Sequence, residues 1–205
     1  MNPDAYQYKR LKGVQDDLMI PWLELYEQAF PARERILVAD ILSLWRNPTS
    51  LQHEYLLGVL DPEKNFAGLV WYSTRPEYGL ALLWYLAVQP HLRSRGVGAQ
   101  IYQYVVSQLN PREYSALIYE VEIPEEAETP EQADFARSRI EFYRRNGGML
   151  LNGIHYEREV GSHAAPIPMH LMVHPLSAIT AEQAFALCRS VLGDAISQTG
   201  VLTLD

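Results

Sequence analysis

Residues 86–99, Leu86-Ala87-Val88-Gln89-Pro90-His91-Leu92-Arg93-Ser94-Arg95-Gly96-Val97-Gly98-Ala99, hold the densest set of groups able to do chemistry. An apolar run ends in a basic, glycine-bearing turn, and a helical pattern begins directly after it. That arrangement suits an anion. The first amides of a helix have no intrahelical acceptor and sit at the positive end of its dipole, and glycines let a phosphate approach the backbone closely. Arg93 and Arg95 add positive charge. Two phosphate-binding patterns are excluded: the dinucleotide fingerprint lacks its third glycine, with Ala99 directly after Gly98, and no Walker A loop is present. Further along, Glu120 and Glu122 alternate with Tyr119 and Val121, which places two carboxylates on one strand face about 7 Å apart.

Other reactive side chains carry bland readings. His155, His163, His170 and His174 have no cysteine or organised carboxylate partner at ligand spacing, so no metal site is expected. Cys188 falls within an apolar helical pattern and reads as a small buried hydrophobe rather than a nucleophile. Arg139, Arg144 and Arg145 read as a solvated helix face.

A chain of 205 residues with 48% AVILMFWYC and 20% charged residues is neither disordered nor fibrous, and its length favours one domain over residues 1–205. Twenty-five acidic against 17 basic residues give a net charge of −8, which argues against binding nucleic acid through phosphate neutralisation. The acidity is local: Glu120, Glu122, Glu125, Glu126, Glu128 and Glu131 account for most of it, and the stretch after Glu122 reads as a solvated, acidic insert near 124–131. A single cysteine makes no internal disulfide, so a reduced cytoplasm is the expected location. No basic segment followed by an apolar run opens the chain, and its longest uncharged apolar run, 78–88, falls well short of the ~18 residues of a spanning helix, so neither a secretory signal nor a membrane partner is expected.

These groups need elements to position them. Three-to-four spacing of Ile20, Leu23, Tyr26 and Ala29 predicts a helix over 19–30, and Ile36, Leu37, Ile41, Leu44 and Trp45 predict a second over 31–46. Strand-like runs follow at 54–60, 66–74 and 80–88, separated by Asp61-Pro62 and by the turn residues 75–79. The third run, LALLWYLAV, is apolar at almost every position, so both of its faces should be covered. Val97, Ile101, Val105 and Leu109 predict a helix, residues 116–123 a strand, and 131–146 a helix closed by Gly147-Gly148. Strands at 149–156 and 168–173 and a helix over 181–192, opened by Thr180 with Gln183 three residues on, complete a C-terminal strand–helix extension near 166–205. The order ααβββαβαββα predicts one α/β layer structure.

Arg93-Ser94-Arg95-Gly96-Val97-Gly98, after a strand ending in Val88-Gln89-Pro90, resembles the acetyl-CoA-binding motif of the GNAT superfamily of N-acetyltransferases, Arg/Gln-x-x-Gly-x-Gly/Ala. The later strand with Tyr119-Glu120-Val121-Glu122 falls where that family has one, and Phe142-Tyr143-Arg144-Arg145-Asn146-Gly147-Gly148 is similar to its Phe-Tyr-x-x-x-Gly-Phe signature. The resemblance spans roughly residues 20–160. It departs at Gly148, where the family usually has Phe, at the Glu-rich insert, and around Pro124, where an Asn is usual.

The resemblance implies a mixed, mostly antiparallel central sheet flanked by helices, and acetyl-CoA as co-substrate with no metal. It implies that the backbone of Leu86, Ala87 and Val88 binds the pantetheine arm and that Arg93, Ser94, Arg95, Gly96, Val97, Gly98 and Ala99 hold the pyrophosphate. Tyr143 would protonate the departing thiolate, and Glu120 would act as general base, with Glu122 competing for that role or holding the amine. One of the arginines of the 131–146 helix would lie within reach of the ribose phosphate, and Arg33 and Glu34 would line an acceptor cleft. The expected function is acetyl transfer to a primary amine of a small molecule within a ternary complex. An acyl-CoA-binding sensor or interaction module without turnover, and an acetyltransferase of protein N-termini or lysines, are the alternatives, and a homodimer stays open.

Overall fold

A computed structural model describes residues 6–46, 48–158 and 165–205. It holds the expected architecture, an open, mixed, mostly antiparallel sheet of eight strands flanked by helices. The strands are β1 (Gln7–Arg10), β2 (Glu54–Leu60), β3 (Phe66–Arg75), β4 (Leu80–Val88), β5 (Ala116–Glu122), β6 (Met149–Arg158), β7 (Ile167–Pro175) and β8 (Ile196–Leu204). The helices are α1 (Met19–Ala29), α2 (Val38–Ser43), α3 (Val97–Gln108), α4 (Pro130–Arg145) and α5 (Ala181–Leu192). Contacts divide the chain into two compact units: residues up to Thr74 with Leu83–Val105, and Arg75–Leu82 with Val106–Asp205.

In the first unit β1, β2 and β3 pair antiparallel, with Leu57 opposite Val70 and Tyr55 opposite Tyr72. Aromatic side chains dominate its core: Trp22, Tyr26, Trp71 and Tyr85 are buried together with Leu25, Ile41, Leu56 and Leu69. Each aliphatic side chain so buried contributes about 1.5–3 kcal/mol. Buried Tyr and Trp also need partners for their polar atoms. Trp22 donates its indole N–H to the Leu57 carbonyl (3.2 Å), and this turns the buried face of α1 to Met19, Trp22, Leu25 and Tyr26. Ile20, placed on the apolar stripe by spacing, is 70% exposed instead.

The same demand breaks the expected second helix. Tyr26 donates to the Ile36 carbonyl (3.0 Å), Tyr85 donates to the Glu34 carbonyl (2.9 Å), and the Ile36 N–H donates to the Tyr85 hydroxyl (3.1 Å). Backbone groups given to these phenols are not available to a helical ladder, so a 3-10 turn at Ala32–Glu34 precedes a short α2 and a second 3-10 turn follows at Leu44–Arg46.

β4 is buried at seven of its nine positions, as its two-sided apolar pattern requires. In the second unit β7 pairs antiparallel with both β5 and β6, and β6 pairs with β8. Thr129 caps α4 by accepting from the Gln132 N–H, and Thr180 and Gln183 form the reciprocal capping box expected for α5. β1 and β8 are absent from the expected order. β1 has four residues with no apolar alternation, and β8 keeps its backbone paired to β6 while most of its side chains stay exposed, so neither shows a buried periodic face in the sequence.

Candidate active site

The basic turn lies in the first unit. Val88 and Ala87 are buried at the end of β4, Leu86 is half-buried, and a 3-10 turn at Pro90–Leu92 leads out. Arg93 folds back so that its Nε donates to the Val88 carbonyl at 3.3 Å. Ser94 (φ +59°) and Gly96 (φ +82°) then both adopt the left-handed conformation before Val97 opens the twelve-residue α3. Left-handed residues alternating with ordinary ones turn successive backbone N–H groups toward one side, which makes an anion-binding concavity, and here it runs into a helix start. A side chain at Gly96 would meet no atom within 4 Å, yet its φ would strain any residue but glycine. Val97 is buried and anchors the helix, whereas Arg93, Ser94, Arg95 and Gly96 are exposed and Gly98 and Ala99 half-exposed.

The carboxylates and Tyr143 lie in the second unit. Glu120 and Glu122 occupy alternate, half-buried positions of β5, as the period-two pattern predicts. Their surroundings differ. Glu120 Oε1 accepts a hydrogen bond from the Tyr156 hydroxyl, and Oε2 pairs with Arg158 Nη1 at 2.8 Å, with Arg158 itself buried. Glu122 Oε1 pairs with Arg139 Nη1 at 2.5 Å, while its Oε2 is buried and has no hydrogen-bond partner among the described residues.

Tyr143 stands one helical turn after Arg139 on α4, and its ring packs on that of Tyr119 with centroids 4.2 Å apart. Burial pushes its phenol up to about 12; Arg139 acts against that shift and Glu122 adds to it. Gly148, which replaces the usual aromatic residue, has a local cause: a Cβ there would overlap Tyr119 Oη, so the ring that supports Tyr143 occupies the space.

Three partners in this cluster were not legible as such in the sequence. Arg139 is not a solvated helix residue but the ion-pair partner of Glu122, with 22% of each side chain exposed. Tyr156 and Arg158 hold Glu120 from β6. The available signal was their i, i+2 spacing, which puts both on one face of the strand, because a buried arginine in a strand needs a carboxylate. Glu34, expected at an acceptor cleft, is 5% exposed and 3.7 Å from Arg33.

His155 lies 3.3 Å from Glu157, and burial lowers His170 and His174, which favours their neutral forms. His163 lies outside the described residues. Cys188 is fully buried and its thiol is pushed up to about 12 by that burial, which keeps it protonated and unreactive at neutral pH. No helix among the described residues is long and apolar enough to cross a membrane.

Residues 18–147 match the sequence pattern of the acetyltransferase (GNAT) family. No curated protein matches the chain. Among solved structures, a protein described as a GNAT-family acetyltransferase from Bacteroides thetaiotaomicron superposes with a TM-score of 0.71 at 21% identity, covering 91% of this chain and 98% of the other. A chimera of the spermidine N-acetyltransferase from Vibrio cholerae gives a TM-score of 0.60 at 14% identity, covering 83% and 95%. The ribosomal-protein-alanine N-acetyltransferase from Escherichia coli gives 0.56 at 16% identity, covering 85% and 96%. At these identities the likeness is one of fold.

Proposed function

The chain belongs to the GNAT acetyltransferase family, and from that premise we propose that it transfers the acetyl group of acetyl-CoA to a primary amine of a small molecule. The observation that carries this reading is the turn in which left-handed Ser94 and Gly96 lead into α3. Its amides, with Arg93 and Arg95, fit a pyrophosphate, and the backbone of Leu86, Ala87 and Val88 offers strand-like partners to a pantetheine arm.

In the reaction the amine nitrogen attacks the thioester carbonyl carbon within a ternary complex, forming the C–N bond as the C–S bond breaks. A free alkylamine is mostly protonated at pH 7, so a base must take its proton. Both oxygens of Glu120 are already engaged, and the proposal therefore gives the base to Glu122 and makes Glu120 the residue that fixes the sheet face beside it. Tyr143 donates to the departing sulfur. With its phenol at about 12, above an ordinary thiol near 8.5, the hydrogen bond to the developing thiolate contributes more than a completed transfer.

One observation favours a second reading, an acyl-CoA-binding module without turnover: three of the four carboxylate oxygens on this face are already held by protein donors. Calorimetric titration with acetyl-CoA tests the first reading, comparing the protein with its Gly96→Val/Gly98→Val variant. Saturable binding that the variant loses supports the turn, and no binding by the folded wild type removes it. Free-thiol release with a panel of amines then separates enzyme from module.

A further inference from the structure

Glu122 poses a physical problem that the family reading does not solve. Its Oε2 is buried with no hydrogen-bond partner among the described residues, and a buried polar atom left unsatisfied is costly to a fold. The side chain as a whole keeps 22% of its surface, while Oε2 itself is covered. Its other oxygen is fixed by Arg139 at 2.5 Å. Arg139 is itself restrained, with its guanidinium 5.0 Å above the Phe135 ring and its Cα one turn before Tyr143 on the same helix. An arginine that takes one carboxylate oxygen holds the group in one orientation and leaves the second oxygen as the sole acceptor on offer.

We propose that Arg139 is a positioning residue for acetyl transfer: by holding Glu122 through Oε1, it presents Oε2 to the N–H of an incoming primary amine. This rests on the acetyltransferase reading. In the step so arranged the amine proton passes to Glu122 Oε2, the nitrogen lone pair forms the C–N bond to the acetyl carbon, and the C–S electron pair leaves with sulfur as the CoA thiolate. Without Arg139 the carboxylate turns freely between its rotamers and binds solvent through both oxygens, and the amine loses its fixed acceptor.

The test combines a spectroscopic signature with a double-mutant cycle. Protein labelled with ¹³C at the glutamate carboxyl carbon is titrated with n-butylammonium, 1,4-diaminobutane and alaninamide, and the Glu122 signal is identified by its loss in Glu122→Gln. At least one of these amines is expected to shift that signal in the wild type, with affinity at least tenfold weaker in Arg139→Met and partly recovered in Arg139→Lys. A shift absent from the wild type with all three amines, or equal in wild type and Arg139→Met, overturns the proposal. With the amine giving the largest shift, thiol release from acetyl-CoA is expected to fall about 100-fold in Glu122→Gln, about tenfold in Arg139→Met, and no further in the double variant than in Glu122→Gln alone. Losses that multiply would mean that Arg139 acts independently of Glu122, and would overturn it. An Arg139-dependent shift with no thiol release in any protein would instead overturn the acetyltransferase reading and leave the amine contact standing.

Discussion

Glu120 and Glu122 leave β5 on the same face two residues apart, both half-buried, yet they meet different numbers of donors. Toward β6, Tyr156 and Arg158 saturate Glu120. Toward α4, Arg139 takes half of Glu122 and leaves the other half unpartnered among the described residues. A carboxylate whose lone pairs are filled by buried donors stabilises a fold, because its burial is compensated; one with a vacant oxygen is poised for a ligand, at some cost to stability. On the proposed mechanism, identical residue types on one strand face divide structural from chemical work by their neighbours.

That division is open to attack from both ends. Glu120→Ala takes the carboxylate away from Arg158, a buried cation, and breaking such a pair costs about 3–5 kcal/mol, so urea unfolding should show a loss of up to that size. Glu122→Gln keeps an acceptor for Arg139 and should shift stability by less than about 1 kcal/mol, while thiol release with a competent amine falls about 100-fold. If the stability losses were reversed, or if Glu120→Gln with its fold intact removed turnover and Glu122→Gln did not, the base would belong to Glu120.

The contrast also marks what the sequence could disclose. The turn was legible because it rests on backbone conformation: Gly96 is needed where φ is positive, and its neighbours Arg93 and Arg95 are local in sequence. The strand face carrying both carboxylates was legible for the same reason, since period two is a local rule. Which carboxylate keeps an oxygen unpartnered among the described residues was not. That depends on Arg139, 17 residues on, and on Tyr156 and Arg158, 36 and 38 residues on, and charge spacing along a helix does not tell a solvated arginine from one reaching a neighbouring strand. The broken second helix failed similarly. Its apolar spacing was sound, but the phenols of Tyr26 and Tyr85 claimed backbone groups near Ile36.

A smaller effect should follow at Tyr143, which belongs to the chemical side of the comparison through Glu122 and Arg139. On the proposed mechanism Tyr143→Phe removes one hydrogen bond to the developing thiolate, and it keeps the ring packed on Tyr119. Turnover is expected to fall about tenfold, or about 1.4 kcal/mol, with acetyl-CoA affinity by calorimetry nearly unchanged. Unchanged turnover would take Tyr143 out of the mechanism, and a parallel loss of affinity would make it a binding residue.

The smallest expected effect reads the same coupling without any substrate. Tyr143 has its phenol raised from 10 to about 12 by burial, so the folded protein keeps this proton where the unfolded chain has lost it. The stability contributed by the neutral phenol is complete below pH 10 and is lost as pH rises toward 12, because the unfolded state then binds fewer protons than the folded one. Tyr8 and Cys188, each also pushed up to about 12 by burial, add falling limbs of the same sign, the thiol's starting near pH 9. Urea unfolding between about pH 8 and 11 should therefore show stability declining from the thiol's limb onward, with a shallower decline in Tyr143→Phe. Glu122→Gln removes a negative charge that raises the phenol and should lower the Tyr143 value, shifting its share of the decline to lower pH. Glu120→Gln should leave the Tyr143 share in place and act instead through Tyr156, whose phenol is raised by burial and by Glu120, so a Glu120→Gln shift that disappears in a Tyr143→Phe background would erase the distinction between the two carboxylates.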